Sequence, residues 1–478
     1  MARDILAIDV GTTALKMAVF SPALEKRCVT SRRYDVHVYD HGKADIDPEK
    51  WWQAVKDACA EFREHLSCVG VVSFSVTTPG LTPMTADGNA LSPAILFFDG
   101  RSHAQARAIR RLVGEEKFLL ETCNLPASGG SSLCSILWIK ENQPEVWAGA
   151  AKFGHCNTYM VKRMTGEWAI DPSTVSITGM YNTARHDLTW NHEVLALAEI
   201  PESKLPPLMH SYAQAGEILP HVATELGLPR GCAVLCGGND AVLAALSGGL
   251  TNAGDINYIC GTCEITNVCV DHPVSSPNFN VRCHVIPDRW VTFFVLNTGG
   301  KALEWYQSVF CREMTEDHFY NEYIPSVLSE FFSSENIDRA EADLPVYGPF
   351  LGGCRYALEQ MQASFSGVTL ETTREHLLLS LMRGNAAYQG THLKEVAGMM
   401  KLGRKVMTTG SVAKIRGFLE VKKRWTGDFE YEFQDQSSLL GSAILGQSFL
   451  TGKYTDAGKA LPFQIAPASN SSAHGVSS

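Results

Sequence analysis

The 478-residue sequence has no run of eighteen apolar residues, the length a helix needs to cross a hydrocarbon core, so no membrane span and no membrane partner are expected. It has no surplus of positive charge either: 41 Lys and Arg stand against 51 Asp and Glu, a formal net charge of −10. That balance excludes a broad basic face for nucleic acid but leaves room for a local positive pocket that takes a small anion. Glycine–lysine pairs occur at 42–43, 300–301, 452–453 and 458–459, and none is followed by Ser or Thr, so the P-loop is absent. Neither GxSxG nor HExxH is present, which removes the nucleophile-elbow hydrolases and the zincins. A single CxxC, at 260–263, has no second pair with which to complete a four-thiolate zinc site. The 14 cysteines are few for this length and lie mostly in apolar runs, which reads as buried free thiols rather than a disulfide scaffold. The N-terminus runs straight into a strand-like segment without a small-residue cleavage site, so a cytoplasmic protein is expected.

What is there is ordinary globular composition, 45% hydrophobic and 19% charged, in a chain long enough for two large domains. Residues 5–10 (ILAIDV) form a nearly continuous apolar run ended by Gly11. After the Gly11-Thr12-Thr13 turn, residues 15–19 alternate with period two, the pattern of two strands joined by a tight turn. Asp47-Pro48-Glu49 reads as a helix start, with Asp as cap and Pro in the first turn. Residues 69–76 read as a buried strand, and helical stretches follow near 102–121 and 131–142. Strands alternating with helices predict an α/β fold. A weak internal repeat sets the organisation: Asp255 to Thr262 resembles Asp4 to Thr12, one residue shorter before its Gly-Thr turn. Two homologous lobes are expected, over 1–244 and 245–466, with a flexible Ser- and Ala-rich tail at 467–478.

Two Gly-Thr turns at matched positions suit a polyphosphate, because glycine lets the backbone approach and a tight turn aims successive N–H groups at one anion. Asp9, beside the first turn, reads either as a Mg²⁺ ligand acting through water or as a partner of the turn backbone. Asp240 stands between an apolar run and a helix-like stretch, with Gly237 and Gly238 before it. It is sited either to accept a proton or to cap the helix. Asp99 and Arg101 follow another apolar strand and read as binders of polyol hydroxyls or as an ion pair. The small-residue turn at Gly410-Ser411 reads as a platform for an adenine ring or as a plain strand-to-helix connection.

These segments together resemble the FGGY carbohydrate kinase family, of xylulokinase-like type, within the actin, Hsp70 and hexokinase ATPase superfamily, over almost the whole chain. DVGTTALK at 9–16 is similar to the family's first phosphate motif, and FFDGRSHAQ at 97–105 to its sugar-facing segment. The stretch 157–171 resembles the helix and turn before a second substrate-facing loop. GGNDAVLAALSGGLTNAGD at 237–255 is the most specific stretch and puts Asp240 where the family has its catalytic base. ICGTCEITN resembles the second phosphate motif, TGGKALEW from 298 the nucleotide-lining helix start, and TTGSVAKIRGFL the adenosine motif.

The resemblance implies two ribonuclease H-like lobes with the active site in the cleft between them. It implies a phosphotransferase that moves the γ-phosphoryl group of ATP, with Mg²⁺, onto a primary hydroxyl of a small sugar or polyol. Asp240 is then the general base and Asp9 the metal residue. Gly11, Thr12, Thr13, Lys16, Gly261, Thr262, Gly300, Glu304, Gly410 and Ser411 hold the nucleotide, and Thr77, Thr78, Asp99, Arg101 and Asp240 meet the substrate. A homodimer is the default assembly. Four departures stand out. Val76-Thr77-Thr78-Pro79-Gly80 replaces the Gly-Gln-Met-His-Gly run of the pentulose kinases, so D-xylulose does not carry over; Cys263 replaces a serine; only Gly410 remains of the adenosine glycines; and Gly352-Gly353-Cys354-Arg355 lacks the Glu usual before that Arg. They motivate an alternative, a non-catalytic sugar or nucleotide sensor on the same fold.

Overall fold

A computed structural model describes residues 3–39, 42–356, 361–434 and 437–452 of the chain. The tail expected at 467–478 lies outside the described residues. The first sheet is built on Asp4–Val10, an apolar strand buried along its whole length. It pairs antiparallel with Ala14–Phe20, which pairs antiparallel with Lys26–Arg33. On its other side it pairs parallel with Val69–Val76, and that strand pairs parallel with Ala233–Leu235. The second sheet repeats this plan. Ile256–Cys260 pairs antiparallel with Glu264–Val270, and that strand with Trp290–Leu296. On the other side Ile256–Cys260 runs parallel to Lys405–Thr409, which runs parallel to Glu430–Phe433. The repeat read from two short segments therefore extends through five strands per sheet. The α/β fold expected from the alternation of strands and helices is the observed one.

Parallel neighbours need a crossover that covers the sheet. Helix Pro48–Glu61 serves the first sheet and is capped by Asp47, whose carboxylate accepts from the Glu49 N–H at 3.0 Å. Helices Gly300–Phe310, Arg374–Ala397 and Phe418–Trp425 serve the second. The last described helix, Ser438–Thr451, returns to the first sheet and packs on Asp4–Val10 and Val69–Val76 beside helix Asp240–Ser247. The two helices meet at Gly441, where a Cβ would stand 2.0 Å from the Leu243 carbonyl oxygen. A smaller sheet in the first half joins His37–Val38, Ala44–Ile46, Ala94–Leu96, Gly80–Met84 and Lys152–Gly154 in that order, and residues 97–101 leave the end of its central strand, Ala94–Leu96.

The helical stretch near 102–121 consists of two helices, His103–Val113 and Glu115–Thr122. The break falls at Gly114, whose φ of 94° lies where glycine alone is at ease. All 14 cysteines are free and ten are buried. Among the described residues no helix is long and apolar enough to cross a membrane.

Candidate active site

The ends of strands Asp4–Val10 and Val69–Val76 meet at the first turn. Gly11 donates its N–H to the Ala14 carbonyl at 3.0 Å, and a Cβ at position 11 would press on that same oxygen at 2.9 Å. Tyr34 donates to the Gly11 carbonyl at 2.6 Å, and the Thr12 hydroxyl lies 3.2 Å from that of Thr77. Thr13 and Lys16 are exposed, and Lys16 sits opposite Asp9 in the hairpin register. Asp9 is buried, and the Ser75 hydroxyl donates to it at 2.7 Å. Burial raises its carboxyl above the usual range, against hydrogen bonds from Ser75 and Ser438 and the charge of Lys16. Ser438 begins the returning helix, so the chain's last described helix also reaches this carboxylate.

Asp240 lies within the electrostatic reach of Asp9. It is the first residue of its helix and not the cap: Asn239 caps, accepting from the Val242 N–H at 3.1 Å. The Asp240 carboxylate is thereby released from capping. Its Oδ1 accepts from the Ala241 N–H at 2.7 Å and from Asn239 Nδ2 at 2.9 Å, while Oδ2 has no hydrogen bond among the described residues. Burial pushes its pKa up to about 7, and Asp9 adds to the shift against Arg282, the Ala241 N–H and Asn239. Asn239 is fixed in turn. Its side chain donates to the Thr78 hydroxyl at 2.7 Å, and its N–H donates to the Ser173 hydroxyl at 2.9 Å. Ser173 rests on the buried Asp171, which also accepts from Ser211 at 2.7 Å. Thr77 and Thr78 are buried; the Thr78 hydroxyl is engaged in this scaffold and the Thr77 hydroxyl with Thr12 of the first turn.

The second turn also closes on a glycine N–H but is one residue shorter than the first. Gly261 donates to the Cys263 carbonyl at 3.0 Å. The Gly261 and Thr262 carbonyls accept from the N–H groups of Gly300 at 2.7 Å and Gly299 at 2.9 Å, which docks the start of helix Gly300–Phe310 on the turn. A Cβ at Gly300 would stand 2.9 Å from the Gly261 carbonyl oxygen, so that approach requires glycine. Gly410 also borders this turn. Its φ is 102° and a Cβ there would lie 2.1 Å from the Cys260 carbonyl oxygen. The structure thus brings Gly261, Thr262, Gly300 and Gly410 together. Ser411 is exposed beside them, and Glu304 is exposed and paired with Lys301 at 2.7 Å. The Cys263 thiol is raised by burial, with the Arg355 charge opposing, and donates to the Asn297 carbonyl at 3.2 Å.

Of the two readings of Asp99 and Arg101, the ion pair is present. Arg101 Nε donates to both Asp99 oxygens at 2.9 Å, and its Nη2 reaches Asp45 at 2.9 Å. Asp99 Oδ2 also accepts from the Ala44 N–H at 2.6 Å. The carboxylate is therefore fully used inside the protein, while Arg101 Nη1 has no hydrogen bond among the described residues. The guanidinium lies over the Trp138 ring, 5.2 Å from its centroid.

Four contributors lay beyond sequence reasoning: Ser75, which holds Asp9; Asn239, which holds Asp240; Ser173, which fixes the Asn239 backbone; and Arg282, which donates to the Thr78 hydroxyl at 3.1 Å from strand Asn280–Cys283 beside the second sheet. The three polar residues carry no sequence signal, since small polar residues end many strands. Arg282 carries one, a charge set among the apolar neighbours of a short strand, Asn280–Cys283.

Two sheets of one topology each carry a Gly-Thr turn, and a carboxylate of raised proton affinity stands near the end of the first; the fold is that of solved carbohydrate kinases. The chain belongs to the FGGY family of carbohydrate kinases, whose N-terminal domain profile matches residues 5–247. It is 27% identical over 466 residues to the gluconokinase of Bacillus subtilis, spanning 95% of this chain and 88% of that one. It is 26% identical over 304 residues to the xylulose kinase of Escherichia coli, 63% of this chain and 62% of that one. The crystal structure of xylulose kinase from Rhodospirillum rubrum superposes with a TM-score of 0.85 at 22% identity, covering 95% of this chain and 91% of that one. The protein is an enzyme, a phosphotransferase with an alcohol group as acceptor.

Proposed function

We propose that the enzyme transfers the γ-phosphoryl group of ATP to a primary hydroxyl of a small sugar or polyol, with Asp240 as general base. The observation that carries this reading is the Asp240 carboxylate itself: one oxygen is held by two donors, the other is free, and its proton affinity is tuned to neutral pH. A base with a pKa near the working pH is the most effective one. Oδ2 accepts the hydroxyl proton as the oxygen attacks, while Asn239 and Ala241 fix Oδ1. The turns at 11–13 and 261–262 bind the phosphates through backbone N–H groups, with Thr12, Thr13 and Lys16 as further donors. Gly300, Glu304, Gly410 and Ser411 border the nucleoside. Phosphoryl transfer asks chiefly for such positioning and charge neutralisation.

The buried Asp9 carboxylate beside the first turn suits Mg²⁺, which keeps several waters and uses few protein oxygens. Asp9 would hold the ion through water, and the ion when bound neutralises charge on the phosphates. The Asp99–Arg101–Asp45 cluster orients the sugar-facing segment, leaving Arg101 Nη1 for a substrate hydroxyl. In this reading the phosphate and sugar segments of 1–244 close on the phosphate and adenosine segments of 245–466.

A coupled ADP-release assay with Mg·ATP over tetritols, ketopentoses, hexitols and aldonates tests the proposal. The expected result is ADP formation that depends on one acceptor class. Binding without ADP release from any acceptor would instead establish the sensor reading. The kcat/KM profile supplies a second check. The base must be unprotonated, so activity is full above the Asp240 pKa and falls about tenfold per pH unit below it. The acid limb is expected near pH 7; an acid limb at the ordinary carboxylate pKa of about 4 would remove Asp240 from the role.

A further inference from the structure

We infer that Arg282 is a positioning residue for the general base: from the edge strand of the second sheet it clamps the two segments that hold Asn239, and so fixes the amide that grips Asp240. The inference rests on the kinase reading above and adds to it a residue that acts through another.

Asn239 is held in one orientation. Its Nδ2 spends one hydrogen on the Thr78 hydroxyl at 2.7 Å and the other on Asp240 Oδ1 at 2.9 Å, while its own Oδ1 accepts from the Val242 N–H at 3.1 Å. A flipped amide would set its carbonyl oxygen against the Asp240 carboxylate and leave the Val242 N–H without an acceptor. Two segments hold this residue: Thr78 by its hydroxyl, and Ser173, whose hydroxyl accepts from the Asn239 N–H at 2.9 Å. Arg282 bridges the same two. Its Nη1 donates to the Thr78 hydroxyl at 3.1 Å and to the Ser173 carbonyl at 3.3 Å, and its Nη2 to the Thr78 carbonyl at 3.5 Å. A hydroxyl beside a guanidinium turns its oxygen toward the cation, which can only donate, so Thr78 stays an acceptor and Asn239 must present its amino group. Without the cation the hydroxyl is free to turn and donate, and the amide loses the partner that keeps it unflipped.

The clamp is itself held in place. On either side of Arg282 the strand is pinned to the first half of the chain. The Asn124 side chain accepts from the Val281 N–H at 2.9 Å and donates to the Val281 carbonyl at 2.8 Å, and the Ser176 hydroxyl accepts from the Cys283 N–H at 2.8 Å. The guanidinium lies 5.5 Å from the ring centroid of Phe293 on the adjoining strand. Burial lowers its pKa to about 10, with Asp240 and Asp171 opposing the fall and Arg355 adding to it, so the group is a cation at neutral pH. Its counter-charges are therefore the two carboxylates at the ends of the bonds it clamps: Asp171, on which Ser173 rests, and Asp240, beyond Asn239. Among the described residues no hydrogen bond joins Arg282 to either carboxylate, so its hold on Asp240 runs through Thr78, Ser173 and Asn239.

A double-mutant cycle on the full chain tests this, with Mg·ATP and the fastest acceptor among erythritol, D-xylulose, D-sorbitol and D-gluconate, one from each class assayed above. Arg282→Met is expected to lower kcat roughly tenfold to 100-fold, with KM for ATP within about threefold of the wild type. In the Asp240→Asn background the same change is expected to cost less than about threefold, because the group it positions is already gone. Arg282→Lys, which keeps the charge and a donor, should restore part of the loss. Equal losses in both backgrounds, or a loss confined to KM, overturn the inference. Should chemical denaturation show that Arg282→Met does not fold, Thr78→Val removes the oxygen that links the guanidinium to Asn239 and runs the same cycle with the same outcomes. A wild type that releases no ADP with any acceptor sinks the kinase reading, and an atomic-resolution crystal structure of Arg282→Lys beside the wild type then decides the inference without turnover. A flipped Asn239 amide or a displaced Asp240 carboxylate in the variant supports it; side chains at 78, 239 and 240 that keep their places and partners overturn it.

Discussion

Asp240→Asn is expected to lower kcat by about two decades or more while nucleotide affinity stays within roughly twofold of the wild type. The substitution keeps size and shape. An amide oxygen can still accept from the Ala241 N–H, so the start of helix Asp240–Ser247 is preserved. What it removes is the ability of Oδ2 to take a proton. The nucleotide turns at 11–13 and 261–262 do not touch this side chain by any hydrogen bond among the described residues, so calorimetric titration with Mg·ATP should be nearly unaffected. Turnover close to wild type would refute general-base action. A parallel collapse of ATP binding would mean that Asp240 holds the nucleotide end rather than the acceptor.

Removing Glu264 should have the largest effect on stability. Glu264 follows the second turn directly and is buried with Lys422, whose Nζ lies 2.8 Å from its carboxylate; Tyr258 donates its hydroxyl to the same group. Lys422 also lies 4.7 Å from the ring centroids of both Tyr258 and Phe418. Glu264→Ala strands a buried ammonium, a loss of about 3–5 kcal/mol. The pair also has a positional role. A Cβ at Gly299 would meet Glu264 Cγ at 2.4 Å, so the approach to helix Gly300–Phe310 lies directly on this side chain. The turn, that helix and helix Phe418–Trp425 thus share one buried ion pair. Chemical denaturation should show the lowered midpoint, accompanied by a raised KM for ATP. The double substitution Glu264→Met with Lys422→Met should recover much of the stability, because well-packed apolar groups commonly replace a buried pair without loss. A Glu264→Ala midpoint equal to that of the wild type would show that the lysine finds another partner.

Much of the fold could be read along the chain. The strands at 4–10 and 69–76, the Asp47 cap and the matched Gly-Thr turns all rest on local periodicity and on glycine, and each is where the pattern put it. The helical pattern near 102–121 is borne out as two helices; that they part at Gly114 follows from its positive φ, which no local pattern gives. The site was legible as a set of residues but not as a set of roles. Asp240 read along the chain is either a base or a helix cap; only the tertiary structure gives the capping to Asn239 and leaves the acid free. Asp99 and Arg101 were open between ligand and ion pair until Asp45 and the Ala44 N–H, more than fifty positions upstream, filled their valences.

The sequence by itself determined two repeated strand-turn-strand units, the residue types at the phosphate turns and the carboxylates beside them, because these depend on neighbours a few positions apart. The tertiary structure alone decided which charges are neutralised and which are left exposed to a ligand. Thr78 and Arg282 are 204 positions apart, and Asp9 and Asp240 meet only when helix and sheet ends converge. Proton affinity and ion pairing are through-space properties set by burial and by charges a few ångströms away, so no local pattern in the chain encodes them.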